Sequence, residues 1–216
     1  AQAISAQGSW QDESHQQPPH AMFLCSGGCN DVGRSAMEEV VHAEPAGRRE
    51  CRHCFTFPNG TEYTGQWLKG MPDGEGYQVF PDGGKYRGEF RAGKAEGRGT
   101  FEYSNGDVYT GSWVNDYAHG EGTCSRHDGS MYKGQWHRGM QDGSGTLSHN
   151  KDGSFPLQQQ WLYQGDFLDD AFHGKGTLSW ADGRCYEGQW SNGKMHGEGL
   201  YVFPDGRRYE GQFEND

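Results

Sequence analysis

The sequence predicts an all-β protein: an elongated single-layer antiparallel meander of stacked β-hairpins, preceded by a small irregular cysteine-rich segment. Three observations predict it. An aromatic-Gly-aromatic triplet with two-residue spacing recurs along the chain, as in Tyr63, Gly65, Trp67 and Tyr86, Gly88, Phe90. The leading residues Tyr63, Tyr86, Tyr109, Tyr132, Tyr163, Tyr186 and Tyr209 are 23 residues apart, except for one step of 31 after Tyr132. Glycine supplies 36 of 216 residues at fixed places in that period, so it punctuates a repeat rather than loosening a linker.

Ahead of the repeats, residues 1–20 are polar, carry Pro18 and Pro19, and read as an extended or disordered arm. Residues 21–54 form a small cysteine-containing segment. Within it, residues 35–43 predict a short helix, with Ser35 as N-cap, Glu38 completing a capping box and Pro45 as the stop. That helix lies between two thiol pairs, Cys25 with Cys29 and Cys51 with Cys54. Two close pairs match the logic of a tetrahedral four-cysteine zinc knuckle, each pair bringing two thiolates to one metal. His42 or His53 is an alternative ligand, and free thiols or two disulfides are the competing readings. One structural zinc is the cofactor expectation.

Residues 55–216 carry the repeat. In a strand, residues i, i+2 and i+4 share a face, so Tyr, Gly and Trp or Phe point one way with a glycine between two rings. The intervening Thr64, Gln66, Arg87, Glu89, Lys133 and Gln135 point the other way and are expected to be wet. A turn glycine such as Gly70 or Gly93 follows, then a Gly-x-Gly pair opens a return strand with larger residues two apart, as in Phe101 and Tyr103. Asp-Gly or Asn-Gly ends the unit and suits the positive φ of tight hairpin turns. Six hairpins with partial units at both ends predict about fourteen strands, or roughly 60 Å of sheet at about 4.8 Å per strand. One hairpin is unstable in water, so neighbours must share the aromatic face.

The pattern Y-x-G-x-W-x-x-G-x-x-x-G-x-G, followed by an aromatic strand and a D-G turn, resembles the MORN (membrane occupation and recognition nexus) repeat across residues 55–216. The resemblance implies a scaffold or binding module. Such arrays are implied in cytoskeletal, ciliary and membrane-junction proteins and as appendages of lipid kinases and methyltransferases, with protein or lipid partners. Three departures from the pattern stand out. Asp116 and Asp169-Asp170 stand where a turn glycine is expected, which reads as loop tolerance. Cys124 and Arg126 occupy aromatic positions in the third unit, weakening the row or opening it to a partner. An insertion at 151–161 places Phe155, Pro156, Leu157 and Trp161 on a loop, read as a partner contact in preference to folding back on the sheet edge.

No catalytic residue is expected. Gly-x-Gly recurs in every unit and is therefore a turn device, and Gly174-Lys175-Gly176-Thr177 lacks the spacing of a phosphate loop. A net charge of -11 excludes general attraction to nucleic acid. Residues 55–216 hold 15 Lys and Arg against 23 Asp and Glu, which disfavours an anionic membrane as well. The leading expectation is a non-enzymatic scaffold or adaptor within a larger assembly, gripping a helix or extended segment of a partner protein. Its groove residues would be Trp67, Phe90, Trp113, Trp136, Phe167 and Trp190, with Phe101, Tyr103 and Tyr201. The structural alternative is that these rings are consumed by packing on each other. A peripheral phospholipid-binding module and an accessory subunit of an organellar or axonemal complex are the other functional readings. Open end strands also offer edge association with other subunits. The expected location is cytoplasmic at the cytoskeleton or cilium, or organellar after removal of an import leader.

Overall fold

The computed structural model describes residues 47–149 and 160–214. Fourteen strands follow one another in a single antiparallel sheet, in sequence order and without crossovers. They are β1 (Glu50–Thr56), β2 (Glu62–Leu68), β3 (Met71–Val79), β4 (Lys85–Arg91), β5 (Lys94–Glu102), β6 (Val108–Val114) and β7 (Tyr117–Ser125). The second half comprises β8 (Met131–His137), β9 (Met140–His149), β10 (Trp161–Leu168), β11 (Ala171–Trp180), β12 (Cys185–Ser191), β13 (Lys194–Val202) and β14 (Arg208–Phe213). The arm, the helix over 35–43, Cys25, Cys29 and the insertion residues Phe155, Pro156 and Leu157 lie outside the described residues.

A single row of glycines crosses the sheet from β2 to β14. Gly65 lies opposite Gly76, Gly76 opposite Gly88, and the pairing continues strand by strand to Gly199 opposite Gly211. Each leading tyrosine except Tyr209 on the last strand lies flat on two of them. A Cβ on Gly122 would meet the Tyr109 hydroxyl and come within 2.6 Å of Tyr109 Cε2, so the bare backbone is the floor of the ring's seat. The phenol then reaches along its own strand, and Tyr109 Oη donates to Ser112 O at 3.0 Å. Tyr63, Tyr86, Tyr132, Tyr163 and Tyr186 make the same bond, at 2.8 to 3.0 Å.

Each seated tyrosine meets two more rings edge to face. Tyr86 contacts Phe90 of its own strand at 5.0 Å and Trp113 of the next hairpin at 5.2 Å. Tyr109 repeats the arrangement with Trp113 at 5.1 Å and Trp136 at 5.0 Å. Such T-shaped pairs contribute about 0.5–1.5 kcal/mol each beyond their buried area. A zipper of rings therefore supplies the core that one layer of strands otherwise lacks.

The two kinds of turn at the two long edges of the sheet work differently. At one edge both central residues have positive φ, as in Lys69 (51°) with Gly70 (77°) and Asn192 (50°) with Gly193 (79°), the type I′ geometry whose twist matches a hairpin. At the other edge only the glycine of Asp-Gly has positive φ. The Asp acts through its side chain instead: Asp128 Oδ1 accepts from Ser130 N at 2.8 Å, and Asp82, Asp182 and Asp205 do likewise.

Asp116 and Asp170 are more than tolerated substitutes for a turn glycine. Both hold positive φ (71° and 66°) and clasp the preceding hairpin. Asp116 N donates to Ala95 O at 3.1 Å while its Oδ1 accepts from Ala95 N at 2.7 Å, and Asp170 repeats the pair on Gln141. A glycine at that position makes only the backbone half of the clasp, as Gly139 does with Ala118 O at 2.9 Å.

The sheet begins at Glu50, ahead of the Phe55 at which the repeat signature starts. Arg52 lies opposite Gly65 with its guanidinium 5.0 Å from the Trp67 ring centroid. A cation there takes the place of a ring, which hides the strand from an aromatic pattern.

Candidate partner-binding site

The two faces of the sheet are not equivalent. Trp67, Phe90, Trp113, Trp136, Phe167 and Trp190 are all 3 to 5% exposed, and Phe101 is 6% exposed. These rings do not line an open groove: Phe90, Trp113, Trp136, Phe167 and Trp190 are covered by tyrosines of their own and the preceding hairpin, Trp67 by Tyr63, Phe55 and Phe57, and Phe101 by Phe80 and Tyr103. Tyr103 and Tyr201 are half-buried at the Asp-Gly edge, packed on Phe101 at 4.5 Å and on Phe203 at 4.8 Å. Cys124 leaves no opening in the third unit either: it is buried, and that burial pushes its thiol up to about 11. Trp161, at the start of β10, stacks on His149 at 5.9 Å and meets Phe172 edge to face at 6.1 Å.

The open space lies on the other face. Two shallow clefts of 580 Å³ and 760 Å³ sit side by side there and share Glu75 and Thr100. Their floor is a row of residues at the alternate strand positions, where Arg87 lies opposite Thr100, Thr100 opposite Thr110, Thr110 opposite Thr123 and Thr123 opposite Lys133. Thr100 Oγ1 and Thr110 Oγ1 are 3.0 Å apart. Glu89 and Glu121 stand beside this row with Arg98, so the clefts present hydroxyls and charges of both signs. Several of these side chains also hold the sheet: Glu89 Oε1 accepts from Arg98 N at 2.9 Å, and Gln66 and Gln135 bond Glu75 N and Ser144 N in the same way.

Sequence reasoning placed Arg87, Glu89 and Lys133 on the wet face but not in a cleft. The available signal was the threonine that recurs beside the tyrosine (Thr64, Thr110) and after the Gly-x-Gly pair (Thr100, Thr123, Thr146, Thr177).

Cys51 and Cys54 are exposed on β1. Cys51 lies opposite Gln66 and Phe55 opposite Tyr63, with a bulge between, so Cys51 and Cys54 point to the same side despite their odd spacing. Among the described residues no group of three or more metal-ligating side chains comes together. No helix there is long and apolar enough to cross a membrane.

The repeat model for MORN matches residues 63–85, 86–108, 109–131, 132–153, 163–183 and 186–207. The chain belongs to the MORN-repeat family. Each match begins at a seated tyrosine, so the MORN unit here is one strand pair with its ring and glycines. No curated protein matches this MORN chain. Among solved structures it is similar to the TCP domain of Drosophila melanogaster SAS-4 (dCPAP), there in complex with a proline-rich motif of Ana2 (dSTIL). That likeness has 14% identity, 84% coverage of this chain, 99% of the other, and a TM-score of 0.43. It is also similar to the TCP10 domain of Danio rerio CPAP, with 16% identity, 74% and 76% coverage and a TM-score of 0.37. Scores of this size leave the MORN assignment to rest on the repeat match and the strand register.

Proposed function

We propose that this MORN array is a non-enzymatic scaffold that holds an extended segment of a partner protein across the strands of its polar face. The observation that carries the proposal is the asymmetry of the faces: the rings are closed off, and the two open clefts lie together on the opposite side, from β2 to β8. Six strand-to-strand steps span about 29 Å, the reach of about nine extended residues. Threonine hydroxyls along the floor and flanking carboxylates, Arg98 and Lys133 offer hydrogen bonds to a peptide backbone and charges to its side chains.

Capture of partners by the wild-type chain and by T110R tests the proposal, because a long cation at Thr110 fills the cleft from an exposed position without touching the rings. The expected result is loss of the captured partner with thermal unfolding unchanged. Equal capture by T110R removes the clefts from the mechanism. The family resemblance supports a place at the cytoskeleton or cilium, checked by imaging the tagged chain.

A structural zinc held by Cys25, Cys29, Cys51 and Cys54 belongs to the same proposal, supported by the common side of Cys51 and Cys54 on β1. Metal analysis with thiol titration tests it; metal-free protein with all four thiols titratable rules it out.

A further inference from the structure

The pairs that close the hairpins beside the type I′ turns form a row of their own on the polar face. Leu68 lies opposite Met71, Val114 opposite Tyr117 and Leu168 opposite Ala171, in the first, third and fifth hairpins. Arg91 lies opposite Lys94 in the second hairpin and Ser191 opposite Lys194 in the sixth. The fourth closes with His137 opposite Met140. Apolar and basic closures thus alternate along most of this rim.

Both components are open to a partner. Met71, Val114, Tyr117 and Leu168 are 38 to 44% exposed, and they make up half of the exposed large hydrophobic side chains among the described residues. Arg91, Lys94, Arg138 and Lys194 are exposed, and none of them is in an ion pair among the described residues. The buried Asp116 and the half-buried Asp170 are turned to backbone N–H groups of the preceding hairpin. Asp169 is the exposed carboxylate in the turns of this rim. The opposite rim carries Asp82, Asp107, Asp128, Asp182 and Asp205, and there Asp182 and Asp205 are paired with Arg184 and Arg207. Behind these turns Asp73 is buried and paired with Arg49, Glu96 is half-buried with Oε2 accepting from Asn115 N at 3.1 Å, and Asp142 is half-buried, so apart from Asp169 the exposed charged and large apolar side chains of this edge are basic and apolar.

We propose that this rim docks an acidic amphipathic helix of a partner protein, lying along the array with apolar and carboxylate-bearing heptads in alternation. The step from one hairpin to the next is two strands, about 9.6 Å. Seven helical residues rise about 10.5 Å, so such a helix meets each hairpin with one heptad. Apolar heptads then fall on the Val114 with Tyr117 and Leu168 with Ala171 closures, and glutamates on Arg91 with Lys94 ahead of them and on Arg138 between them. Charge decides for a helix over a bilayer. At physiological salt a charge is felt over about 8 Å, so a narrow helix experiences the rim, whereas an anionic membrane also faces the acidic remainder of the molecule. The rim is separate from the clefts, and the inference goes beyond the cleft-bound segment.

The experiment uses the whole chain and a labelled synthetic helix of about four heptads, alternately leucine-rich and glutamate-rich, read by fluorescence anisotropy. A peptide with every Glu changed to Lys and phosphatidylserine-containing vesicles are the comparators. The acidic peptide is expected to bind at least about tenfold more tightly than the basic one. R91E with K94E, and separately V114S with Y117S, are each expected to weaken it by about tenfold or more while thermal unfolding stays unchanged. T110R is expected to leave it unaltered, which separates failure at the rim from failure of the cleft reading. Equal affinity for both peptides, no loss in the rim variants, or a loss in T110R as large as theirs overturns the inference. Vesicle flotation without peptide binding overturns it in favour of a membrane.

Discussion

A tyrosine lying flat on two glycines leaves no room for a methyl group, and that constraint recurs at every hairpin. Gly122→Ala would drive a Cβ into the Tyr109 ring and is expected to cost roughly 1–3 kcal/mol by overpacking. Gly193→Ala has open space around its Cβ and bears only the strain of φ 79°, about 1–2 kcal/mol. Thermal unfolding of both variants checks the ordering; a G193A loss as large as that of G122A would mean that backbone strain, not the ring seat, keeps the glycines. Asp116 gives a pH signature. Burial raises its carboxyl to about 6 against a backbone N–H from Ala95 that pulls it down. The folded state then holds the proton more tightly than the unfolded one, so stability is full below about pH 4 and falls as pH rises to about 6. Asp116→Asn keeps an acceptor for Ala95 N and removes the titration. The difference in melting temperature between D116N and wild type is expected to grow from pH 4 to pH 7 in favour of the variant. The buried Cys124 thiol is expected to react with a thiol reagent only on unfolding.

One hairpin is a whole period, with ring, glycines and clasp, and its register is set by its own two turns. Removing residues 86–108 takes out β4 and β5 and joins Lys85 to Tyr109, so the glycine row closes up with Gly76 opposite Gly111. The contact of Tyr63 with Phe90 at 5.0 Å becomes one with Trp113, as the other hairpins already show. A folded, all-β array with a lower melting temperature is expected, checked by circular dichroism; aggregation would show that the hairpins are not interchangeable. The hairpin was legible in the sequence because its signals are local: alternation at period two, a glycine under each ring, and Asp-Gly or Lys-Gly at the turns. The clasp by Asp116 and Asp170 was not, since its acceptors and donors lie on Ala95 and Gln141 of the previous hairpin. The same holds for β1, whose Arg52 takes the place of a ring only through Trp67 of β2.

Across the whole molecule each hairpin packs only on its neighbours, so cooperativity is passed along the array rather than gathered at one centre. The end strands are accordingly the weak ones. Tyr209 on β14 is 44% exposed, against 1% for Tyr109 in the middle. Amide exchange is expected to be fastest in β1 and β14 and slowest in β6 to β9, measured peptide by peptide; uniform protection would contradict nearest-neighbour packing.

The sequence by itself determined the number and order of the hairpins, the polar and aromatic sides of each strand, and the turn at each edge, because all of these follow from spacing within one period. Only the tertiary structure decided which side is closed and which is open. Whether Trp113 is a binding surface or a core residue depends on Tyr86, which belongs to another hairpin and reaches it at 5.2 Å. Rings were expected to form the groove because they carry the largest apolar area, yet a single-layer sheet has no second layer to bury them. They bury one another instead, and the open clefts are left to the threonines and charges on the opposite face.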